Sequence, residues 1–438
     1  MKVVFLHPDL GIGGAERLVI DAAFAYRSYG HEVHIVTNHF TQDHSFSDVK
    51  ELANDRLITT VRALPRSIFG KFHALCAYIS ILIAAFVVWQ KHSDADIIFC
   101  DQISLPIVFL RKATKAKIVF YCHYPDQLLA PHDTFLRKVY RWFLDMAEYY
   151  TTGMADVLFA NSKFTSNVIR ATFPSFADKE ITVLYPSLNT DIIDNYLEAT
   201  KVEEEGKKMM IEDERDEEDE DVISGSYKHV FRSIQSFENV FLSINRFERK
   251  KNIELAIMAF ADLSKNLSIY EYNKCVLVIA GGYDVNVREN IEYYYELENL
   301  VVKLDLVESV KFLQNPTELQ KYRLYKKSTL VIYTPSGEHF GIVPLEAMYV
   351  GRPVLAVDNG GPTETIVDGT TGFLRKNDSA HFGAVMLMAV YEKETMEKIG
   401  KAAHKHVADL FPFKKFASRV VMFTEKNKAL EDSAKVAE

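Results

Sequence analysis

Short apolar runs alternate with longer stretches of helical period along the first 186 residues. Residues 2–7, 32–37, 96–100, 116–122, 156–160 and 181–184 are apolar and of strand length. Between the first two, residues 15–29 repeat their apolar positions at the helical spacing, and Gly30 follows as the residue that ends such a helix. Asn161 and Ser162 are placed to cap a helix reaching Phe173, and Tyr185-Pro186 closes the series. The alternation restarts with strands at 239–244, 275–280, 309–313, 329–333 and 353–357 and a helix at 252–263. The tail from Pro412 has an amphipathic helical pattern. Continuous rather than alternating apolar strands belong to parallel sheets covered on both faces. The expectation is an α/β chain of two Rossmann-like domains facing across a deep interdomain cleft. They would occupy 1–186 and 229–411, joined by a link at 187–228, with a helix at 412–438 packing back toward the first. Ligands in such folds bind at the carboxyl ends of the strands.

One apolar segment does not fit a strand. Residues 72–89, FHALCAYISILIAAFVVW, would form a helix about 27 Å long at ~1.5 Å per residue, close to the ~30 Å of a hydrocarbon core. A buried helix of the first domain, a helix lying on a bilayer and a spanning helix all satisfy this pattern. A span would put the strand at 96–100 on the opposite side of the membrane from the first two. The run at 3–6 is too short for the core of a signal peptide, so the chain is expected to begin in the cytosol.

Charge changes the picture in one place. The 438 residues carry a formal net charge of −9, yet 203–221 alone holds 12 acids and 3 bases. The rest balances at 48 acids against 48 bases. A segment so acidic cannot bury a core and is expected to be a mobile insertion. Its removal leaves a neutral body, not a globally acidic one. Four scattered cysteines without a C-x-x-C pair point to a reducing compartment and against structural zinc.

Four stretches could carry chemistry. Gly11-Ile12-Gly13-Gly14-Ala15-Glu16 follows the first strand but has Glu16 where a dinucleotide loop has its third glycine. Asn38 stands where the ribose-binding acid is required, which argues against NAD. The glycines still let a backbone approach a ligand, and a helix start favours an anion. Tyr121-Cys122-His123-Tyr124-Pro125-Asp126 ends a strand, placing His123 on the ligand side. Arg246 and Lys251 flank a turn into a helix, an arrangement suited to a departing diphosphate. The fourth runs from Pro335 to Glu346. Glu338 in a loop and Glu346 in a helix can hold sugar hydroxyls and a ribose diol, Gly341 permits close approach, and the amides of Ile342 and Val343 can bind phosphate. Asp94-Ala95-Asp96 matches D-x-D but lies at a strand start, away from the ligand side, so no metal site is expected.

The Glu338–Glu346 spacing resembles the E-x7-E signature of the retaining family 4 glycosyltransferases, whose fold is GT-B. The segments VVFLHPDLGIGGAERLV, VFYCHYPDQLL, INRFERKKN and PSGEHFGIVPLEAMYVGRPVLAVDNGGP together resemble the dolichol-pathway mannosyltransferases. The resemblance covers nearly all of the chain outside the acidic segment. It implies a GDP-mannose donor, with Arg246 and Lys251 on the diphosphate, Glu346 on the ribose, and Glu338 on the mannose beside Phe340, Gly341, Ile342 and Val343. It places His123 at the donor sugar, with Gly13, Gly14 and Asp126 also on the acceptor side. It implies no cofactor and no metal. The implied acceptor is a dolichol-diphosphate-linked oligosaccharide, receiving its second and third mannoses through α1,3 and α1,6 linkages. Partners would be a membrane surface and other transferases of the pathway, not nucleic acid. The implied location is the cytosolic face of the endoplasmic reticulum membrane. A lipid acceptor favours a membrane role for 72–89, since the chain ends in a polar ALEDSAKVAE. Another lipid-directed transferase of this fold, a later dolichol mannosyltransferase or a glycolipid-anchor N-acetylglucosaminyltransferase, is the enzyme alternative. A non-catalytic scaffold is the other.

Overall fold

A computed structural model describes residues 1–11, 13–41, 46, 49–62, 64–65, 73–130, 134–210 and 227–436. The chain divides into two compact units, Met1–Ser187 with Phe413–Glu438, and Leu188–Pro412.

The first unit is built on seven parallel strands: β1 (Lys2–Asp9), β2 (Glu32–His39), β3 (Ile58–Thr60), β4 (Ile97–Asp101), β5 (Lys117–Cys122), β6 (Val157–Ala160) and β7 (Ile181–Val183). Their order is β3-β2-β1-β4-β5-β6-β7, so the connections change direction between β1 and β4. Helices cover both faces. On one, Gly14–Ser28 packs Leu18, Ala22 and Tyr26 against the sheet, and the C-terminal helix Phe413–Val436 adds Phe416, Val420 and Val421 to the same core. The Tyr26 hydroxyl donates to Thr424 Oγ1 at 2.8 Å, and Lys117 Nζ donates to the Thr424 carbonyl at 2.7 Å. On the other face, the apolar segment forms His73–His92 and packs Ile81, Ala84, Ala85 and Val88 against Val4, Leu6 and Ile98. By length and composition this helix could cross a membrane, but one side of it belongs to the core. Leu75, Ile79, Ile83, Phe86 and Trp89, spaced as one helical stripe, remain uncovered.

The second unit has six parallel strands: β8 (Asn239–Ile244), β9 (Cys275–Gly281), β10 (Val310–Gln314), β11 (Leu330–Tyr333), β12 (Val354–Val357) and β13 (Phe373–Arg375). The order β10-β9-β8-β11-β12-β13 reverses between β8 and β11. In open α/β sheets ligands gather outside the carboxyl ends of the strands at such reversals.

One boundary corrects the reading at 187–228. Residues from Leu188 onward belong to the second unit rather than to a link. Helix Thr190–Met210 packs there, with Tyr196 stacked on Tyr322 at 5.5 Å and Asp194 accepting from the Tyr349 hydroxyl at 3.0 Å. The helical backbone also extends through 203–210, where a mobile insertion was expected. In sequence, Glu203 and Glu204 each precede a lysine by four residues, the order that supports a helix. The remainder of the acidic segment, 211–221, lies outside the described residues, as does Phe72. The short strands β3 and β13 were not anticipated.

Candidate active site

In the second unit the site grows from the loops after β8 and β11, on either side of the reversal. The loop after β8 presses against the end of β9. A Cβ on Gly281 would come within 1.7 Å of the Asn245 carbonyl oxygen, so only glycine fits there. The loop then tightens into a single turn, Arg249–Lys251, before helix Glu254–Ser264. The Thr334 hydroxyl, just past β11, donates to the Lys251 carbonyl at 2.7 Å and ties the two loops together.

This places Lys251 Nζ 2.5 Å from Glu338 Oε2, and the Tyr333 hydroxyl donates to the same oxygen at 3.1 Å. Burial works against the Glu338 charge, but the adjacent Lys251 outweighs it and holds the carboxyl below the usual range. The pair therefore supplies a fixed ammonium and a fixed carboxylate. Arg246, expected beside Lys251, is largely exposed and pairs with Glu248 at 3.1 Å.

The loop carrying Glu338 is fixed from behind by a residue pair not assigned in the sequence reading. Gly361 N–H donates to the Glu338 carbonyl at 2.7 Å. Gly360 has φ +71°, and a Cβ on it would stand 2.5 Å from that same carbonyl oxygen. Phe340 is buried, its ring 6.1 Å from Phe411. Gly341, at φ +85°, opens helix Ile342–Tyr349 with Pro344 in its first turn. Glu346 is buried on that helix and its oxygens accept from Lys321 at 2.9 Å and Tyr325 at 3.0 Å. Burial raises the Glu346 pKa. It also works against the Lys321 ammonium, but Glu346 and Glu318 prevail and push that pKa up to about 12.

In the first unit, His123 follows β5 as expected, and Gly13 caps Gly14–Ser28 in extended backbone. A Cβ on Gly13 would collide with the Glu16 carboxylate. Asp126 is committed locally: Arg141 donates to its Oδ2 at 2.8 Å, with the Tyr78 hydroxyl 3.4 Å from that oxygen. The structure does not join it to His123. Instead His123 Nε2 lies 3.3 Å from Oδ2 of Asp101, whose Oδ1 is 2.7 Å from His7 Nδ1. His7 and Asp101 were both missed. Their signal was present as polar residues near the carboxyl ends of apolar strands. Asp94 and Asp96, the D-x-D match, hold Lys2 at the amino ends of β1 and β4. Among the described residues no cluster of three or more histidine, cysteine, aspartate or glutamate side chains could hold a metal ion.

Family comparisons agree with this architecture. Residues 12–192 match glycosyltransferase family 4, and residues 228–406 match the glycosyl transferases group 1. The fold is similar to that of Anabaena HepE in complex with UDP, with a TM-score of 0.69 at 18% identity, covering 97% of this chain and 100% of that one. It is also similar to WaaG, a glycosyltransferase involved in lipopolysaccharide biosynthesis, with a TM-score of 0.65 at 17% identity over 97% and 99% of the two chains. The two parallel sheets and their loops are thus those of a GT-B glycosyltransferase. Relatives named alpha-1,3/1,6-mannosyltransferase ALG2 are 39% identical in mouse and in human, each alignment covering 97% of this chain and 96% of the relative. A relative of the same name in Dictyostelium discoideum is 36% identical over 97% and 98%. The chain belongs to the ALG2 alpha-1,3/1,6-mannosyltransferase family.

Proposed function

We propose that this enzyme, an alpha-1,3/1,6-mannosyltransferase of the dolichol pathway, transfers mannose from GDP-mannose to a dolichol-diphosphate-linked oligosaccharide. The Lys251–Glu338 pair is the observation that carries the site assignment. Cleavage of a nucleotide sugar develops negative charge on the departing diphosphate, and fixed donors stabilise it more than mobile solvent does. Lys251, Arg246 and the amides of Ile342 and Val343 supply that stabilisation in place of a metal ion. Glu338 holds the mannose hydroxyls and Glu346 the ribose. In the first unit, Gly13 and Gly14 approach the acceptor phosphate, and His123 accepts from a hydroxyl of the reacting sugar.

Retention follows from attack on the face the diphosphate leaves. The bond from mannose C1 to the phosphate oxygen breaks, the bond from C1 to the acceptor hydroxyl oxygen forms, and the hydroxyl proton passes to the departing phosphate. A trapped covalent mannosyl-enzyme would exclude this route.

The acceptor's polyisoprenoid tail requires a membrane. Leu75, Ile79, Ile83, Phe86 and Trp89 offer an apolar stripe, and exposed Trp142 and Phe143 on helix Phe135–Thr152 add aromatic surface to the same unit. We place this face on the cytosolic leaflet of the endoplasmic reticulum, lying on the bilayer rather than spanning it. The decisive assay supplies GDP-mannose and a one-mannose lipid-linked acceptor and resolves the products by linkage. Transfer of two mannoses, one α1,3 and one α1,6, is the expected result. Transfer only from UDP sugars would refute it.

A further inference from the structure

The buried side chains at the β1/β4 reversal assign a role to Asp101. His7, near the end of β1, is fully buried, and Asp101, the last residue of β4, is 1% exposed. His7 Nδ1 lies 2.7 Å from Asp101 Oδ1 and Nε2 lies 2.8 Å from the Asp9 carbonyl oxygen. A carbonyl can only accept, so Nε2 carries a proton. The Nδ1–Oδ1 contact holds a second proton between the two groups. Asp101 Oδ2 in turn faces Nε2 of His123 at 3.3 Å.

An ionised carboxylate can only accept, so a charged Asp101 calls for an N–H from each imidazole and leaves the shared proton on His7. The electrostatics agree. Burial opposes the charge on each partner, yet Asp101 raises the His7 pKa, and His7 with His123 lowers that of Asp101. Glu16 stands 4.0 Å from His7 Nε2 and adds a further negative neighbour.

We infer that Asp101 is a positioning residue: clamped by His7, it holds His123 with Nε2–H toward the carboxylate and leaves the Nδ1 lone pair to accept from a sugar hydroxyl. Two further contacts restrict the ring. Tyr121 lies 4.8 Å from it between centroids, and Asn161 Nδ2 donates to the His123 carbonyl at 3.1 Å. The described residues make no bond to Nδ1. A histidine left to itself exchanges between tautomers, and only one offers an acceptor at Nδ1. This inference rests on the mannosyl-transfer reading for the identity of the hydroxyl, but the tautomer and the His7 charge do not depend on it.

Two measurements test it. Nitrogen-15 NMR of the full-length, histidine-labelled chain without substrate, assigned through H7Q and H123Q, should show His7 doubly protonated at pH 7.5 and His123 protonated at Nε2. Steady-state kinetics of D101N should then show kcat reduced by about tenfold or more with the donor KM within about twofold, since orientation is lost while donor binding remains. H123Q should lose a similar amount, and the double variant D101N/H123Q little more than either. Neutral His7 or an Nδ1-protonated His123 in the wild type overturns the inference, as does D101N with unchanged kcat. If D101N does not fold, the wild-type spectrum decides alone. An inactive wild type with a correct spectrum would instead refute the donor or acceptor assignment.

Discussion

Lys321 Nζ lies 2.9 Å from one carboxylate oxygen of Glu346, and the Tyr325 hydroxyl occupies the other at 3.0 Å. The residue assigned to the donor ribose is therefore already held in a buried ion pair. Removing one member of such a pair leaves an uncompensated charge, at a cost of roughly 3–5 kcal/mol. K321M should destabilise the fold by about that amount in urea unfolding and raise the donor KM. E346Q introduced into K321M should recover part of the stability but not the donor affinity.

Lys251 and Glu338 should behave differently, since they serve charge that develops during transfer. K251A and E338Q are each expected to lower kcat/KM on the order of 100-fold, comparable to loss of one preorganised donor. Their circular dichroism should match the wild type. Because Lys251 lowers the Glu338 pKa, the wild-type pair contributes stability above the unfolded-state value of 4.5 that is lost as pH falls through the lower folded value. K251A should show less of that acid-side loss in unfolding measured from pH 6 to pH 3.

Gly360 takes φ +71° directly behind Glu338. Alanine there meets both a disfavoured backbone region and the Glu338 carbonyl, so G360A should lose about 1–3 kcal/mol of stability. Activity should fall further than that stability loss explains, because the loop carrying Glu338 must shift. Comparison of Tm with kcat at a temperature where the variant is folded separates the two effects.

Glu148 supplies a pH dependence of opposite sign. Its oxygens accept the amides of Asp126 and Gln127 at 2.6 and 3.0 Å, but burial dominates and lifts its pKa from 4.5 to about 7. A raised carboxyl pKa means that the folded state binds the proton more tightly. Stability from this group is fully present below pH 4.5 and is lost as pH rises through about 7. E148Q should remove that decline, seen as a smaller stability difference between pH 5 and pH 7.5 than in the wild type.

The uncovered stripe of helix His73–His92 should account for membrane attachment. I79S/I83S alters exposed positions only. It should cut co-sedimentation with vesicles of phosphatidylcholine and phosphatidylserine several-fold while changing Tm little, because each exposed apolar side chain contributes about 1–2 kcal/mol when buried in lipid. Activity on a soluble, short-chain acceptor should persist.

Much of the site was legible because its signals are local. Glu338, Gly341 and Glu346 lie within one strand–loop–helix unit, so their place in that unit could be read from spacing. The helix start at Ile342 with Pro344 in the first turn followed from the same stretch. The Arg141 partner of Asp126 was not legible, because it lies on a helix whose packing the linear pattern does not reveal. The link at 187–228 was misplaced for a related reason. Composition describes what cannot form a core, but Tyr196 and Asp194 dock through partners more than a hundred residues away.

The chain by itself determined the two parallel sheets, through apolar strands alternating with helices, and the confinement of the net negative charge to 203–221. It also determined which loops could carry donor chemistry. Only the tertiary structure decided which groups meet. Lys251 and Glu338 are 87 residues apart, and His7 and Asp101 are 94 apart. Each pair forms because a parallel sheet must cross over between strands, and at a reversal of strand order it sets side by side the carboxyl ends of segments that sequence keeps remote.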